Sequence, residues 1–284
     1  MESTIHKLID SEELSNLFTN PGSVKVSFFS QSLFPIYLIR DHEKRVIVKV
    51  IDSHELAEVE SYSLNYLFQK RIKVPELFHL LKYQNQSYLF MEYIDTDRIQ
   101  KKDLIETLIV LYQNKNSKFG FERNNYIGTL SQTNAYFEKF SEFFWTQRLY
   151  PLVSKAISNG LLDTDHLLKL EEIHFRCAEN WGLDSHSPVL VHGDLWSGNV
   201  LGSKKGVYLI DPSLSYSIPE QDFAMSELFG GFPAGWIEEI APLIGLESGY
   251  RERRDFWQIY PMLVHVNIFG RSYISGFQNR IMKY

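Results

Sequence analysis

Residues 191–199 read Val191-His192-Gly193-Asp194-Leu195-Trp196-Ser197-Gly198-Asn199. A second carboxylate, Asp211, follows an apolar run that reads Val207-Tyr208-Leu209-Ile210. This arrangement offers carboxylate and amide oxygens, which are the ligands that a hard cation prefers. It also leaves one carboxylate able to accept a proton from an attacking hydroxyl. The order and spacing of these groups therefore predict a phosphoryl-transfer site.

The same order is typical of the catalytic loop of protein kinases, in which an Asp orients and deprotonates the hydroxyl while an Asn and a later Asp hold magnesium. We therefore expect Asp194 to be the catalytic base and Asn199 and Asp211 to be ligands of Mg²⁺. The alternative is a solvated β-hairpin whose Asp and Asn only satisfy the backbone of a turn. Three polar residues in the correct order favour the catalytic interpretation.

Composition places the chain among ordinary globular proteins. Its 284 residues are 44% hydrophobic and 23% charged, which is enough for a sizeable core. The formal charge of −6 argues against nucleic acid or an anionic membrane as the main partner. Residues 1–20 contain no apolar run typical of a signal peptide, and Cys177 is the only cysteine, so a disulfide framework is excluded. We expect a cytoplasmic protein without membrane or nucleic-acid partners.

The first part of the chain is predicted to be rich in strands. Residues 25–40 and 45–50 are expected to be extended and to flank a turn at 41–44. A helix should begin at Asp52 or Ser53 and run to about residue 70, because apolar residues recur there at helical spacing. Two further strands are expected at 77–82 and 87–93.

The rest of the chain is predicted to be mainly helical, with helices at 103–114, 134–159, 163–181, 218–228 and 251–269. We therefore predict an α+β, protein-kinase-like bilobal fold. Residues 1–92 would form a small β-rich nucleotide-binding lobe. Residues 93–284 would form a larger helical lobe that contains the catalytic loop and the acceptor site.

Lys49 lies on an apolar predicted strand, where a lysine that contacts nucleotide phosphates is expected. Glu60 on the following helix would orient it, and the backbone of Glu92, Tyr93 and Ile94 would bind adenine. The alternative for Lys49 is a solvent-exposed lysine at a strand end, and the alternative for Glu60 is that another glutamate of the same helix takes its role. Residues 92–94 could instead be an ordinary strand end.

The predicted phosphate-binding loop has no glycine. It reads Ser27-Phe28-Phe29-Ser30-Gln31-Ser32-Leu33-Phe34-Pro35. Kinases usually have glycine here because it lets backbone N–H groups approach the phosphates closely. Serine hydroxyls could serve instead, although Pro35 removes one donor.

With these motifs in place, the chain resembles the fructosamine kinase (ketosamine-3-kinase) family, which is related to the aminoglycoside phosphotransferases. The resemblance extends from about Lys49 to Gly270. It is most specific in residues 192–199, in Ile210-Asp211-Pro212 and in Asp222-Phe223-Ala224-Met225-Ser226-Glu227-Leu228-Phe229-Gly230-Gly231-Phe232.

The resemblance implies ATP-dependent phosphorylation of the 3-hydroxyl of a ketosamine, on a small molecule or on a glycated protein side chain. The 3-phosphate is unstable and releases the sugar, so the reaction would promote deglycation. The resemblance also implies that Trp196 borders the acceptor pocket, unless its ring packs in the core, and that Glu220 lies beside that pocket. Asp222 is expected to accept N–H bonds from the catalytic loop.

The chain departs from the family pattern at other points besides the glycine-poor loop. The family's Tyr-Gly-Asp-Arg-Glu is here Tyr216-Ser217-Ile218-Pro219-Glu220, and Tyr112 stands where a histidine is usual. Pro261 is expected to kink the last predicted helix between Ile259 and Val264. Because the catalytic carboxylates are retained, these changes favour altered substrate choice over lost catalysis.

Two alternative functions remain at this level. One is phosphorylation of another hydroxylated amine, such as an aminoglycoside or a choline-like acceptor. The other is a pseudokinase that binds nucleotide without turnover, for which the missing glycines argue. The retained Asp194, Asn199 and Asp211 argue against it.

Overall fold

The computed structural model describes residues 1–14, 16–18, 21–42, 44–246 and 248–284. The chain divides into two compact units. The first comprises Met1–Arg98 and Leu201–Ile210, and the second comprises Ile99–Val200 and Asp211–Tyr284. This division differs from the lobe boundary predicted between residues 92 and 93, because the first unit continues to Arg98 and includes a hairpin from later in the chain.

The strands, in chain order, are β1 (Lys25–Gln31), β2 (Pro35–Arg40), β3 (Arg45–Ile51), β4 (Leu77–Tyr83), β5 (Gln86–Glu92), β6 (Thr96–Asp97), β7 (Asn125–Ile127), β8 (Leu130–Gln132), β9 (Val189–Val191), β10 (Val200–Ser203), β11 (Gly206–Leu209) and β12 (Ser215–Ser217). The α-helices are α1 (Glu2–Ile9), α2 (His54–Gln69), α3 (Lys101–Tyr112), α4 (Phe140–Phe144), α5 (Tyr150–Ser158), α6 (Thr164–Asn180), α7 (Glu220–Phe229), α8 (Trp236–Leu243), α9 (Tyr250–Trp257), α10 (Ile259–Phe269) and α11 (Ile274–Ile281). A π-helix, Trp145–Leu149, joins α4 to α5, and short 3₁₀ helices lie at Glu12–Leu14, Pro21–Ser23, Leu183–Ser185, Ser197–Asn199 and Gly270–Tyr273.

The first unit is built on an antiparallel sheet with the strand order β1-β2-β3-β5-β4. The extended segment predicted at 25–40 is a hairpin, because Gln31 pairs with Pro35 across the tip at residues 32–34. Proline is tolerated as the first residue of a strand since no ladder hydrogen bond is needed there. The strands predicted at 45–50, 77–82 and 87–93 are confirmed as β3, β4 and β5. Glu43 of the predicted 41–44 turn lies outside the described residues.

The side-chain alternation of β3 places Lys49 opposite the buried valines of the same strand. Val46, Val48 and Val50 are fully buried and belong to one apolar cluster with residues of α1. The predicted helix after β3 is confirmed as α2. Its N-cap is Ser53, whose hydroxyl accepts a hydrogen bond from the N–H of Leu56 at 3.2 Å, as expected of a capping serine.

Residues 201–210 complete a small sheet of the first unit in the order β11-β10-β6. Gly202 pairs with Asp97 and Ser203 pairs with Thr96. The N–H of Leu209 also donates to the carbonyl of Lys73 at 2.9 Å. The hairpin is therefore anchored by backbone hydrogen bonds to residues that are distant in sequence.

The second unit has a helical core, and the helix predicted at 134–159 is confirmed only from Phe140 onward. Helix α4 begins only at Phe140, and its junction with α5 is the π-helix. The cause is non-local pairing, because Phe137 exchanges two backbone hydrogen bonds of 2.9 Å with Phe119. The Asn134 side chain is likewise bound to the carbonyl of Arg123. These contacts hold the segment before α4 in an extended conformation.

The helix predicted at 251–269 is confirmed except at Gln258, where it divides into α9 and α10. Pro261 lies in the first turn of α10, where the N–H that proline lacks would have no acceptor within that helix. The kink predicted between Ile259 and Val264 is therefore absent, and the interruption lies at Gln258 instead. The helix predicted at 163–181 is confirmed as α6, which is capped by Asp163 through the N–H of His166 at 3.1 Å.

Antiparallel sheets in the first unit and helices in the second confirm the predicted α+β class. Throughout the described part of the chain, every helix is too short or too polar to cross a bilayer.

Candidate active site

The catalytic loop begins directly after β9 and is held by one buried carboxylate. Asp222 is fully buried on α7 and accepts hydrogen bonds from the N–H groups of His192 at 2.8 Å and Gly193 at 2.9 Å. The predicted role of Asp222 as a support of the catalytic loop is confirmed.

Gly193 is required by the shape of this loop. Its φ is +82°, and an added Cβ would lie 1.9 Å from the carbonyl oxygen of Ser213. Glycine alone can adopt this conformation and also allow the two backbones to approach so closely. The backbone geometry therefore requires glycine at the position before Asp194.

Tyr112 supplies a further contact to the same carboxylate. Its hydroxyl donates to Oδ2 of Asp222 at 3.3 Å. Burial raises the pKa of Asp222 to about 6, although the three hydrogen bonds from His192, Gly193 and Tyr112 each act to lower it. Where the family usually has a histidine, this chain therefore has Tyr112, which stabilises Asp222, the residue that supports the loop.

Asp194 and Asn199 form a direct pair. The Asn199 amide nitrogen Nδ2 donates to Oδ2 of Asp194 and to its carbonyl oxygen, both at 2.9 Å. Because Nδ2 is committed to Asp194, the amide oxygen Oδ1 of Asn199 is the atom suited to ligate a cation. Asn199 lies in the 3₁₀ helix Ser197–Asn199, which places it beside the carboxylate of Asp194.

Asp211 lies close enough to Asp194 to act on it electrostatically. Burial is the main cause that raises the pKa of Asp194 to about 7, and the negative charge of Asp211 raises it further. Asp211 itself has a φ of +52°, a left-handed conformation that Asp tolerates better than most residues. Two carboxylates that repel each other in this way form a site that a cation would stabilise.

These residues fit a magnesium site of the kind that kinases use. Asn199 and Asp211 supply an amide oxygen and a carboxylate, which suit Mg²⁺ when phosphate oxygens and water complete the octahedron. Within the described ranges, His, Cys, Asp and Glu form no cluster of three that could hold a metal alone.

The first unit contains the second set of predicted residues. Lys49 and Glu60 are both buried, and the Lys49 ammonium donates to both carboxylate oxygens of Glu60 at 2.8 Å. The ring of Phe34, at the tip of the β1–β2 hairpin, lies 5.8 Å from the Lys49 nitrogen. The predicted pair therefore exists, and the glycine-free hairpin reaches the lysine.

The predicted adenine-binding segment lies at the end of β5. The N–H of Glu92 donates to the carbonyl of Glu76 at 2.8 Å, so this donor is already used within the unit. Ile94 is buried, and the Tyr93 ring lies 4.2 Å from the guanidinium of Arg45. The binding of adenine by this segment stays a prediction.

Trp196 is exposed, which excludes the core-packing alternative for this residue. Its side chain is 37% exposed, and its ring packs edge-on to Phe229 with centroids 6.3 Å apart. An added Cβ at Gly198 would lie 2.2 Å from the Trp196 ring. The ring is therefore held against the catalytic loop with one part open to solvent.

Glu220 is a buried carboxylate that is paired within the second unit. It is 1% exposed, and its oxygens accept hydrogen bonds from the Arg253 guanidinium at 2.5 to 3.2 Å and from Nε1 of Trp257 at 2.6 Å. A carboxylate with both oxygens engaged has little capacity to bind an acceptor. This geometry makes Glu220 a buried structural anion, and its contact with the acceptor stays a prediction.

Sequence reasoning missed the contact between Gly231 and the catalytic loop. Gly231 has a φ of +91°, and an added Cβ would lie 2.4 Å from the hydroxyl of Ser197. The Gly230-Gly231 pair after α7 was the available signal, because adjacent glycines often mark a close backbone approach.

Comparison with known proteins places these features in a family. The sequence model described as fructosamine kinase matches residues 5–284. The chain is 36% identical to a probable ketoamine kinase of Enterococcus faecium over 72% of this chain and 74% of the relative. It is 32% identical to a probable ketoamine kinase of Vibrio parahaemolyticus over 96% and 98%. It is also 33% identical to the chloroplastic protein-ribulosamine 3-kinase of Arabidopsis thaliana over 70% and 62%.

Solved structures confirm the protein-kinase-like fold. A candidate fructosamine-3-kinase of Thermobifida fusca superposes with a TM-score of 0.80 at 25% identity, covering 91% of this chain and 92% of that one. The aminoglycoside phosphotransferase APH(4)-Ia in a ternary complex with ADP and hygromycin B gives 0.64 at 13% identity, with coverage of 100% and 98%.

Proposed function

Because the chain belongs to the fructosamine kinase family, we propose that it transfers the γ-phosphoryl group of ATP to the 3-hydroxyl of a ketosamine. The observation that carries the proposal is the Asp194–Asn199 pair on a loop that Asp222 fixes through two N–H groups. A pseudokinase would have no need for this geometry. The related enzyme named for ribulosamine in Arabidopsis thaliana supports the choice of acceptor.

Asp194 acts as the proton acceptor in this proposal. It takes the proton of the sugar hydroxyl as the oxygen attacks the γ-phosphorus, and the bond between that phosphorus and the β,γ-bridging oxygen breaks to release ADP. The hydrogen bond from Asn199 keeps the carboxylate in one orientation. A positioned base of this kind contributes about 10²- to 10⁴-fold in rate.

Asn199 and Asp211 would hold Mg²⁺ through an amide and a carboxylate oxygen. The ion, when bound, neutralises charge on the nucleotide phosphates. Its positive charge would also offset the repulsion by which Asp211 raises the pKa of Asp194, so the ionised base would become more favourable.

Lys49 would bind nucleotide phosphates while Glu60 holds its ammonium in place. Backbone groups of residues 92–94 would bind adenine, with the N–H of Glu92 excluded because Glu76 uses it. Serine hydroxyls and N–H groups of the β1–β2 hairpin would replace the usual glycine-rich loop.

Trp196 is the proposed acceptor contact. A partly exposed indole ring can pack on the apolar face of a sugar, as aromatic rings do with other flat apolar surfaces. Glu220 is left out of the acceptor site. Release of the unstable 3-phosphosugar would free the amine, so the reaction would serve deglycation. Cytoplasmic location and the absence of nucleic-acid and membrane partners stay predictions.

The test is magnesium-dependent release of ADP from ATP by the purified protein. We would compare ribulosyl-lysine, fructosyl-lysine, an aminoglycoside and no acceptor. We expect turnover on at least one ketosamine and a loss of about 10²- to 10⁴-fold in Asp194→Asn. The matched control is Asp165→Asn, since Asp165 is an exposed residue of α6.

Thermal unfolding would verify that Asp194→Asn remains folded. Turnover on the aminoglycoside alone would show that the acceptor is another hydroxylated amine and not a ketosamine. Near-normal turnover of the Asp194→Asn protein would overturn the assigned base.

A further inference from the structure

The second unit contains a cavity of about 460 Å³ that lies apart from the catalytic residues. Its walls come from the end of α7, residues 230–235, the start of α8, helix α9 and Arg280 of α11. Phe232, Pro233 and Ile237 form its apolar part, while Asp194, Asn199 and Asp211 do not line it. The proposed reaction gives this cavity no role.

The carboxylates that line the cavity are already paired. Arg251 donates to Glu227 at 2.7 Å and also to Glu238. Asp255 accepts a hydrogen bond from Lys283 at 2.5 Å. All three acidic side chains therefore have a cationic partner, so their charges are largely neutralised locally.

Among the described residues, two arginines that line the same cavity have no anion hydrogen-bonded to them. Nε of Arg254 is inaccessible to solvent and has no hydrogen-bond partner in the described part of the chain. Within the same described part, Arg280 donates only to neutral oxygens, those of Gln258 at 2.8 and 3.1 Å and of Gly276 at 2.8 Å. Burial lowers the pKa of Arg280, and the neighbouring Arg254 charge lowers it further, while Asp255 acts in the opposite direction.

A partly buried guanidinium that is not hydrogen-bonded to an anion can still pair with one, and it pairs best with a carboxylate or phosphate that can accept two N–H bonds. We propose that the cavity is a binding site for a small organic oxyanion. Its carboxylate or phosphate pairs with Arg254 and Arg280, and its apolar body packs against Phe232 and Pro233.

The probes are phenyl phosphate and benzoate, with benzamide as the uncharged analogue. Binding to the full chain is measured by isothermal titration calorimetry. We expect saturable binding of one or both anions and none of benzamide. A preference for phenyl phosphate would identify a phosphate ligand, and a preference for benzoate would identify a carboxylate.

Charge variants locate the site. Arg254→Gln and Arg280→Gln should each weaken binding by about 10- to 100-fold, the usual effect of losing a hydrogen bond between charged groups. Arg271→Gln removes the same charge from an exposed residue outside the cavity and should leave binding unchanged. Lys49→Met should also leave it unchanged, because Lys49 does not line the cavity.

A second pair of variants avoids removing a partly buried arginine. Ala234 is an exposed residue of the cavity rim, so Ala234→Glu should supply an internal carboxylate that competes with the probe, while Ala234→Gln should not. Absence of saturable binding by the folded wild-type protein would overturn the proposal. Equal binding by the Glu and Gln variants, or weakened binding in Lys49→Met, would do so as well.

Discussion

Replacing Glu220 by alanine separates a structural role from a substrate role. The change removes the partner of Arg253 in an ion pair whose side chains are 12% and 2% exposed, and it also leaves the Trp257 N–H without its acceptor. Removing one partner of a buried pair costs about 3–5 kcal/mol. We expect a loss of unfolding free energy at the lower end of this range, because the Arg253 guanidinium still donates to the carbonyl of Ser248 at 3.1 Å.

A loss of about 3 kcal/mol corresponds to a fall in Tm of roughly 6–12 °C for a domain of this size. Differential scanning fluorimetry measures that change, and the KM for the ketosamine is measured below the transition. We expect the Tm to fall while KM changes by less than about twofold. A structural carboxylate does not touch the acceptor and so contributes no binding energy that the variant could lose.

Glu172→Ala is the matched control. It breaks an exposed i,i+4 pair with Arg176, whose side chains are 68% and 43% exposed, and it should cost less than about 1 kcal/mol. The reasoning fails if Glu220→Ala keeps the wild-type Tm but raises the KM for the acceptor, because Glu220 would then contact substrate as the sequence predicted.

Three further changes test the proposed kinase site. Asp211→Asn should raise the magnesium concentration needed for half-maximal activity by at least about tenfold, with partial recovery at high magnesium, because Asn also tolerates the left-handed backbone. Lys49→Met should raise the KM for ATP by about 10- to 100-fold, so an unchanged KM would remove Lys49 from the nucleotide site. Gly193→Ala should lower kcat by about 10²-fold, because the new Cβ would collide with Ser213. Gly160→Ala is its control, since φ is +66° there but nothing lies within 4 Å.

The sequence predicted the parts of the molecule that local pattern determines. Helix α6 and the N-cap of α2 were predicted because their signals are local. These signals are apolar residues at helical spacing and the capping residues, Asp163 before α6 and Ser53 before α2. The loop-supporting role of Asp222 followed from the resemblance to a family, and the hydrogen bonds to His192 and Gly193 confirm it.

The errors lie where distant residues decide. The partners of Glu220 are 33 and 37 residues away, so its burial could not be read from residues 216–220. The helix predicted at 134–159 begins only at Phe140 because Phe119 pairs with Phe137. Helix α10 is buried over most of its surface, and a helix that is apolar all round has no amphipathic stripe to reveal where it begins.

The hairpin at 201–210 limits how this chain can be shortened. A fragment that ends at Arg98 would keep β1 to β6 but lose β10 and β11, which pair with β6 and with Lys73. The backbone groups of β6 and Lys73 would then lose their hydrogen-bond partners, which is unfavourable wherever they stay out of water. In the gene, the first unit is therefore not a module that can be separated by a single cut. Its last strands are encoded between Asn199 and Asp211, so truncation or domain exchange at Arg98 would remove them from the unit to which they belong.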